Sequence, residues 1–255
     1  MNSIYKQLIN LIDNHTPCVI TFLIDVQGST PRKPGTKMIV TGDGKIVGTI
    51  GGGSLEKKVI EIALDVLRKG SPLTKTFDLE DDLSMHCGGT ATVFFDPVLP
   101  APTVFIFGAG HVAREVGSYA FDLGFQIQFI DPRPGIFTEF RSDYAQCHPV
   151  DYLEFANSCN FSERDYAVVT TPNHQFDESL AHTLARKNLL YVGVIASKRK
   201  AAIIRENAIK NNILTPEQAN RIDMPIGIPF NAQTPKEIAI SIVARLIDTK
   251  NNQTL

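Results

Sequence analysis

The residues best suited to bind a ligand form a glycine-rich turn at 108–113, with the sequence GAGHVA. The turn follows an apolar run at 103–107 and opens a segment whose apolar residues recur at helical spacing. Gly108 permits a tight turn, and Gly110 lets the backbone approach a diphosphate. His111 then stands at the helix start, where backbone N–H groups favour an anion. We therefore expect Gly108, Gly110 and His111 to contact a cofactor.

An acidic residue follows the next predicted strand. Asp131 ends the strand pattern at 126–130, at the distance from the glycine turn where dinucleotide-binding folds place a carboxylate for a ribose hydroxyl. A carboxylate repels a ribose 2′-phosphate, whereas Arg133 is able to accept one. The sequence thus predicts a dinucleotide held by Asp131 and Arg133, with NAD favoured over NADP. The alternative is a related fold with a vestigial nucleotide site or a different ligand.

Two glycine-rich loops in the first hundred residues also suit an anion. The segment GSTPRKPG at 28–35 brings hydroxyls and Arg32 together on a backbone stiffened by proline, although a solvated turn explains it equally well. Gly51, Gly52 and Gly53 directly precede a predicted helix, where the exposed N–H groups and the helix dipole favour negative charge. Close backbone packing is the other explanation of this second loop. We expect these residues to contact a cofactor.

Cys87 lies in the segment MHCGG at 85–89, between an acidic run and a predicted strand. A thiolate attacks electrophiles or binds a soft metal, and neighbouring positive charge stabilises it. The alternative is an inert loop thiol. The remaining cysteines, Cys18, Cys147 and Cys159, form no C-x-x-C pair and are expected to pack as thiols. Zinc is not expected, since no second Cys/His pair has compatible spacing.

Two polar segments follow later strand patterns, where open α/β sheets bind their ligands. The first, TTPNH at 170–174, offers His174 as a candidate acid, base or hydrogen-bond donor, although the same residue is equally suited to cap the following helix with Asp177. The second, ASKRK at 196–200, brings positive charge to a predicted helix start or forms a solvated turn. His174 is accordingly the one candidate catalytic residue.

The pattern of elements predicts an α/β protein of two domains. Residues 1–99 form a smaller α+β domain, and residues 100–255 form a Rossmann-like, doubly wound parallel sheet in which strands and helices alternate. The segment LPAP at 99–102 marks the boundary, because two prolines oppose both helix and central strand. Capping boxes with proline at the first helical position predict helix starts at Thr215 and Thr234.

Composition is that of an ordinary globular protein. The 255 residues are 43% hydrophobic and 20% charged, with a formal net charge of −2 spread over both halves, so no basic half suggests nucleic acid. No apolar run is long enough to span a bilayer, and the first residues lack a signal-peptide pattern. The expected location is the cytoplasm.

Taken together, the motifs resemble the XdhC/CoxI family of accessory proteins for xanthine dehydrogenase and related molybdenum hydroxylases. The resemblance rests on their order along nearly the whole chain: GSTPR at 28–32, GTIGGG at 48–53, MHCGG at 85–89, GAGHVA at 108–113, DPR at 131–133 and QTPKEIA at 233–239. Segments 171–174 and 195–197 depart from the forms usual in this family.

The resemblance implies a maturation chaperone rather than a metabolic enzyme. Such a protein binds molybdenum cofactor, as molybdopterin or its dinucleotide form, protects it while a cysteine desulfurase installs the terminal sulfur, and delivers it to an apo molybdenum hydroxylase. Cys87 is then a candidate ligand of molybdenum, and a homodimer is compatible with this function. Two alternatives stay open: an NAD(P)-dependent oxidoreductase with substrate between the domains and His174 as acid/base, and a redox-sensing module that only binds nucleotide.

We predict that Cys87→Ser preserves folding but loses bound cofactor, because a hydroxyl is a harder and far less acidic ligand than a thiol. The same exchange at Cys18, which lies in a buried-strand pattern, serves as the matched control and is expected to retain the cofactor. Molybdenum and pterin are measured in both purified variants, followed by activation of an apo-hydroxylase. Wild-type cofactor content in the Cys87 variant would remove this thiol from the mechanism.

Overall fold

The chain folds as two units, each built on its own β-sheet. A computed structural model describes residues 4–14, 16–28, 32–79, 89–138 and 143–252, with the backbone alone at 174 and 175. The first unit reaches to Pro100, and the second begins at Ala101. The first sheet is antiparallel and the second is parallel, which confirms the predicted α/β class with a Rossmann-like second part.

The first unit is a five-stranded antiparallel sheet with the strand order β3-β2-β1-β5-β4. Its elements are α1 (Ile4–Asp13), β1 (Cys18–Gly28), β2 (Lys37–Thr41), β3 (Ile46–Gly48), α2 (Gly53–Lys69), β4 (Leu73–Asp78) and β5 (Gly89–Val98).

Alternation along β1 divides the first unit into two cores. Val19 and Leu23 face a core shared with the apolar side of α2, whereas Cys18 and Ile20 face a smaller core that α1 covers. This period of two is what the pleat of a strand requires. Cys18 is fully buried, and burial raises the pKa of its thiol to about 11, so it is an inert core residue as the sequence predicts.

The second unit is a six-stranded parallel sheet with the strand order β11-β10-β9-β6-β7-β8. Its elements are β6 (Thr103–Phe107), α3 (His111–Asp122), β7 (Gln126–Ile130), a 3-10 helix (Ile136–Thr138), β8 (Ala145–His148), α4 (Tyr152–Ser158), β9 (Tyr166–Val169), α5 (His174–Leu184), β10 (Tyr191–Val194), α6 (Lys198–Lys210), α7 (Pro216–Asn220), β11 (Ile222–Asp223) and α8 (Pro235–Asn251).

The strand order reverses between β6 and β9, the point at which such sheets bind ligands. From β6 the chain runs through β7 to β8 at one edge, then crosses to β9 and continues to the other edge. Helices cover both faces: α3 and α8 pack on one core, and α4 to α7 pack on the other. All five residues of β6 are buried, as expected of a strand covered on both faces.

Two strands and one α-helix of the second unit are absent from the sequence-based expectation. The strand β8 is an edge strand of mixed polarity, and β11 has only two residues, so neither carries a clear pattern. The helix α4 spans seven residues. The helix that the sequence predicts after the segment at 170–174 starts at His174 itself. The two capping boxes at Thr215 and Thr234 are confirmed. Among the described residues, no helix is both long and apolar enough to cross a membrane.

We predict that Gly117→Ala destabilises the second unit by about 1–3 kcal/mol, the usual cost of overpacking. Gly117 is buried in α3, and a Cβ there would collide with the ring of Phe129 on β7. At an open helical position the same exchange gains about 1 kcal/mol from helix propensity, so the sign of the effect is diagnostic. Urea unfolding measures it, with Ser118→Ala on the same helix as the control. A stabilised Gly117 variant would contradict this packing.

Candidate functional site

A cavity of about 500 Å³ opens where the strand order of the second unit reverses. Three chain segments that follow β6, β9 and β10 line it, together with the first residue of α8. The lining residues are Gly110, His111, Val112, Ala113, Thr170, Thr171, Ile195, Ala196, Ser197 and Pro235. Among these lining residues none is acidic, and the polar groups are backbone, hydroxyl and imidazole. The cavity therefore suits a ligand with both apolar and anionic parts.

Three helices begin at this cavity, and each directs the positive end of its dipole toward it. Ser197 caps α6 by accepting a hydrogen bond from the N–H of Lys200, and Thr234 caps α8 in the same way. Gly110 precedes α3 and has no side chain with which to cap the helix. Its exposed neighbour His111 is the first residue of α3. The start of α3 is therefore the natural position for a phosphate.

The two fingerprint glycines serve different purposes. Gly108 has a φ of +111°, and a Cβ there would lie 2.5 Å from the carbonyl oxygen of Thr170, so only glycine fits. Gly110 has an extended backbone, and among the described residues nothing lies within 4 Å of a Cβ placed on it. Gly108 is thus needed for the fold, whereas the space beside Gly110 is available to a ligand.

Asp131 braces the fingerprint turn from within the protein. Its side chain is fully buried, and one carboxylate oxygen accepts the N–H of Ala109 at 2.8 Å. Arg133 donates to both oxygens, from Nε at 2.9 Å and from a terminal nitrogen at 2.6 Å, and its own N–H donates at 3.0 Å. Burial by itself would raise the pKa of Asp131, but the hydrogen bonds from Arg133 and Ala109 outweigh it and lower that pKa. A ribose hydroxyl would have to displace one of these donors.

A second buried carboxylate fixes the segment after β9. Asp177 is fully buried in the first turn of α5 and accepts a hydrogen bond of 2.6 Å from the hydroxyl of Thr171, which lines the cavity. Lys200, in the first turn of α6, lies 3.8 Å from the other carboxylate oxygen. Asp177 thus joins two of the segments that line the cavity. The sequence indicated this residue only as a possible helix cap.

In the first unit, the predicted anion loop already holds a carboxylate of its own chain. One oxygen of Glu56 accepts the hydroxyl of Thr49 at 2.5 Å and the N–H groups of Ile50 and Gly52 at 3.2 and 3.3 Å. The N–H of Gly51 donates to the hydroxyl of Thr49. Binding of an external anion by the glycine loop stays a prediction. Such an anion would have to displace the Glu56 carboxylate from the loop.

Close packing against the described residues does not explain two glycines of this loop. Gly52 and Gly53 have φ values of +74° and +61°, and among the described residues nothing lies within 4 Å of a Cβ placed on either. Backbone conformation, rather than close approach of a neighbour, therefore requires glycine here. Gly51 has a φ of +146°, which also favours glycine.

The other predicted site residues belong to the first unit or lie outside the described residues. Arg32 is exposed in the loop between β1 and β2 of the first unit. Cys87, and the side chain of His174, lie outside the described residues, so their roles stay predictions. Within the described ranges there is no group of three or more metal-binding side chains.

Sequence reasoning missed two residues that contribute to the site, Arg114 and Pro235. Pro235 brings the start of α8 to the cavity, although the capping box at Thr234 indicated only that a helix begins there. Arg114 donates from Nε to the carbonyl of Ala109 at 3.0 Å, which fixes the fingerprint turn from its other side. Its position in α3, one turn after Gly110, was the available signal.

The fold and the cavity define a Rossmann-type domain preceded by an antiparallel α/β unit. Comparison with protein families places the chain more narrowly. The family model described as the XdhC Rossmann domain matches residues 104–246, and that of the XdhC and CoxI family matches residues 11–78. The chain belongs to the XdhC and CoxI family, as the order of its motifs indicated.

Individual relatives match nearly the whole chain. The uncharacterized protein YqeB of Escherichia coli is 30% identical over 98% of this chain, which spans only 47% of the length of YqeB. A probable xanthine dehydrogenase subunit of Bacillus subtilis is 22% identical, with 98% of both chains covered. A crystal structure described as a xanthine dehydrogenase from Bacillus halodurans has a TM-score of 0.51 and 24% identity, covering 97% of this chain and 95% of that one. This last likeness supports the fold alone.

We predict that Gly110→Ala keeps the free energy of unfolding within about 1 kcal/mol of wild type but weakens nucleotide binding about tenfold or more, because its Cβ would occupy the phosphate position. Gly108→Ala is the matched comparison and should lose about 1–3 kcal/mol of stability from backbone strain and collision. Urea unfolding and calorimetry with NAD, NADP and pterin dinucleotide measure both effects. Unchanged affinity in a folded Gly110 variant would place the phosphate elsewhere.

Proposed function

We propose that this chain takes part in the maturation of a xanthine dehydrogenase-type molybdenum hydroxylase, by binding molybdenum cofactor, supporting its sulfuration and delivering it. The observation that carries the proposal is the match of both units, in order, to the two family models. The Bacillus subtilis relative, which aligns over 98% of both chains, is itself described as part of a probable xanthine dehydrogenase. An apo molybdenum hydroxylase and a cysteine desulfurase are the partners this function requires.

The cavity of the second unit fits the phosphate-bearing part of such a cofactor. The start of α3 at Gly110 and His111 offers N–H groups, and Thr170, Thr171 and Ser197 add hydroxyls. No acidic side chain among the described lining residues opposes a phosphate. We therefore assign the phosphate or dinucleotide tail of molybdenum cofactor to this cavity, with NAD(P) as the competing ligand.

The metal-bearing part of the cofactor needs a soft ligand and shelter from water. When bound, the cofactor supplies the molybdenum centre that the hydroxylase later uses. In this proposal the chain contributes binding and protection, and Cys87 is the thiol assigned to molybdenum because thiolates suit soft metals. In the first unit, the residues assigned to anionic groups of a bound cofactor are Gly51, Gly52, Gly53 and Arg32. An NAD(P)-dependent oxidoreductase would instead require turnover of a substrate by the purified chain.

The test compares hydroxylase in cells with and without this chain. We expect cells that lack it to make hydroxylase protein that is inactive, because its cofactor lacks the terminal sulfur or is not inserted. A molybdenum enzyme that needs no terminal sulfur should remain active in the same cells, which controls for cofactor synthesis. Expression of the wild-type chain should restore activity. Normal activity and sulfuration without the chain would contradict the proposal, as would substrate turnover dependent on NAD(P) by the chain alone.

A further inference from the structure

We infer that Arg133, rather than Asp131, is the residue with which the end of β7 recognises its ligand, and that the group it recognises is a phosphate monoester. Asp131 is then a positioning residue, because it acts through Arg133. This inference rests on the proposed function to the extent that a phosphate-bearing cofactor binds in the second unit. It also reverses the NAD preference that the sequence suggests.

The carboxylate oxygens of Asp131 are already occupied by hydrogen bonds from the protein. Its side chain has no exposed surface, and its oxygens accept hydrogen bonds from Ala109 and Arg133. A ribose hydroxyl would have to enter the protein and replace a charge-assisted bond, which is stronger than the neutral one it would form. The sequence therefore contains the expected carboxylate, but its hydrogen bonds are made within the protein and not to a ligand.

The guanidinium of Arg133 lies next to the fingerprint turn. The same oxygen of Asp131 accepts the N–H of Ala109 at 2.8 Å and the terminal nitrogen of Arg133 at 2.6 Å. The guanidinium thus lies directly beside the turn that approaches the ligand phosphate. Its side chain is 41% exposed, whereas that of Asp131 is fully buried. At the end of β7, part of the arginine side chain therefore reaches solvent, whereas the carboxylate does not.

The ion pair between Asp131 and Arg133 also changes the electrostatic interaction with a phosphate. The two-point ion pair compensates the charge of Asp131, which removes most of the repulsion that an isolated carboxylate exerts on a phosphate. It also fixes the planar guanidinium, so less side-chain freedom is lost when a phosphate binds. The ligand class is a phosphate ester at this end, either the 2′-phosphate of a dinucleotide or the phosphate of a pterin cofactor, and not an unmodified ribose diol.

The test uses two pairs of probes that differ by one phosphate. NADP is compared with NAD, and the oxidised, metal-free pterin of molybdenum cofactor is compared with its dephosphorylated form, by calorimetry or pterin fluorescence on the full chain. We expect the phosphorylated member of at least one pair to bind about tenfold tighter or more, as charge-assisted hydrogen bonds imply. The pair that shows the difference identifies the source of the phosphate. Ratios within twofold in both pairs, or no binding of any probe, overturn the inference.

Substitutions of Arg133 test whether this residue causes the difference in affinity between the phosphorylated and unphosphorylated probes. Arg133→Gln should bring the ratio close to one, and Arg133→Lys should retain part of it, because lysine keeps the charge without the fixed fork. Lys210→Gln, at the far end of α6, removes an exposed cation and should change nothing. An unchanged ratio in a folded Arg133→Gln protein would overturn the inference, and the Lys variant serves this purpose if Gln does not fold.

Asp131→Asn separates the two assignments of the carboxylate. If Asp131 positions Arg133, the variant should lower affinity for the phosphorylated probe more than for its partner. If it binds a ribose diol instead, affinity for NAD should fall while affinity for NADP is spared, and the inference fails. Restoration of hydroxylase activity in cells is assayed separately, so failure of this inference leaves the maturation function to its own test.

Discussion

The close approach of two backbone segments at the switch point is the constraint on which the site depends. The chain leaves β6 through Gly108, which donates its N–H to the carbonyl of Ile130 and passes against the carbonyl of Thr170. The exits of three adjacent strands are thereby held at fixed distances. Any side chain at 108 would separate these strand ends. The helix starts that follow would then no longer line the same cavity. The geometry of the cavity therefore depends on the absence of a Cβ at position 108.

The described lining of this cavity offers backbone N–H and hydroxyl groups rather than carboxylate, lysine or arginine side chains. The starts of α3, α6 and α8 bring partial positive charge, while the buried carboxylates Asp131 and Asp177 lie behind the lining and hold loops in place. Groups fixed in this way need little reorganisation when an anion arrives. Among the described lining residues, His111 is the one side chain able to act as an acid or base.

Local sequence was sufficient wherever the cause of a structure is local. The strands with a clear pattern, the fingerprint turn and the capping boxes at Thr215 and Thr234 depend on residues a few positions apart, and each could be predicted. The start of α8 beside the fingerprint, the bond from Asp131 to Ala109 and the edge strand β8 depend on the folded sheet. Asp131 shows the limit most clearly, because its type and position matched a ribose contact while its hydrogen bonds serve the turn.

Glu56 gives the glycine loop of the first unit a tethered competitor. A carboxylate that belongs to the same helix is always present at high effective concentration, so any anion that takes its place must exceed what Glu56 already provides. Common monovalent anions have no such advantage, whereas a dianionic phosphate has more charge and more acceptor oxygens. The loop would then act as a threshold that rejects buffer ions and small carboxylates. Such selectivity would keep the loop from filling with the abundant anions of a cell before a scarce cofactor arrives.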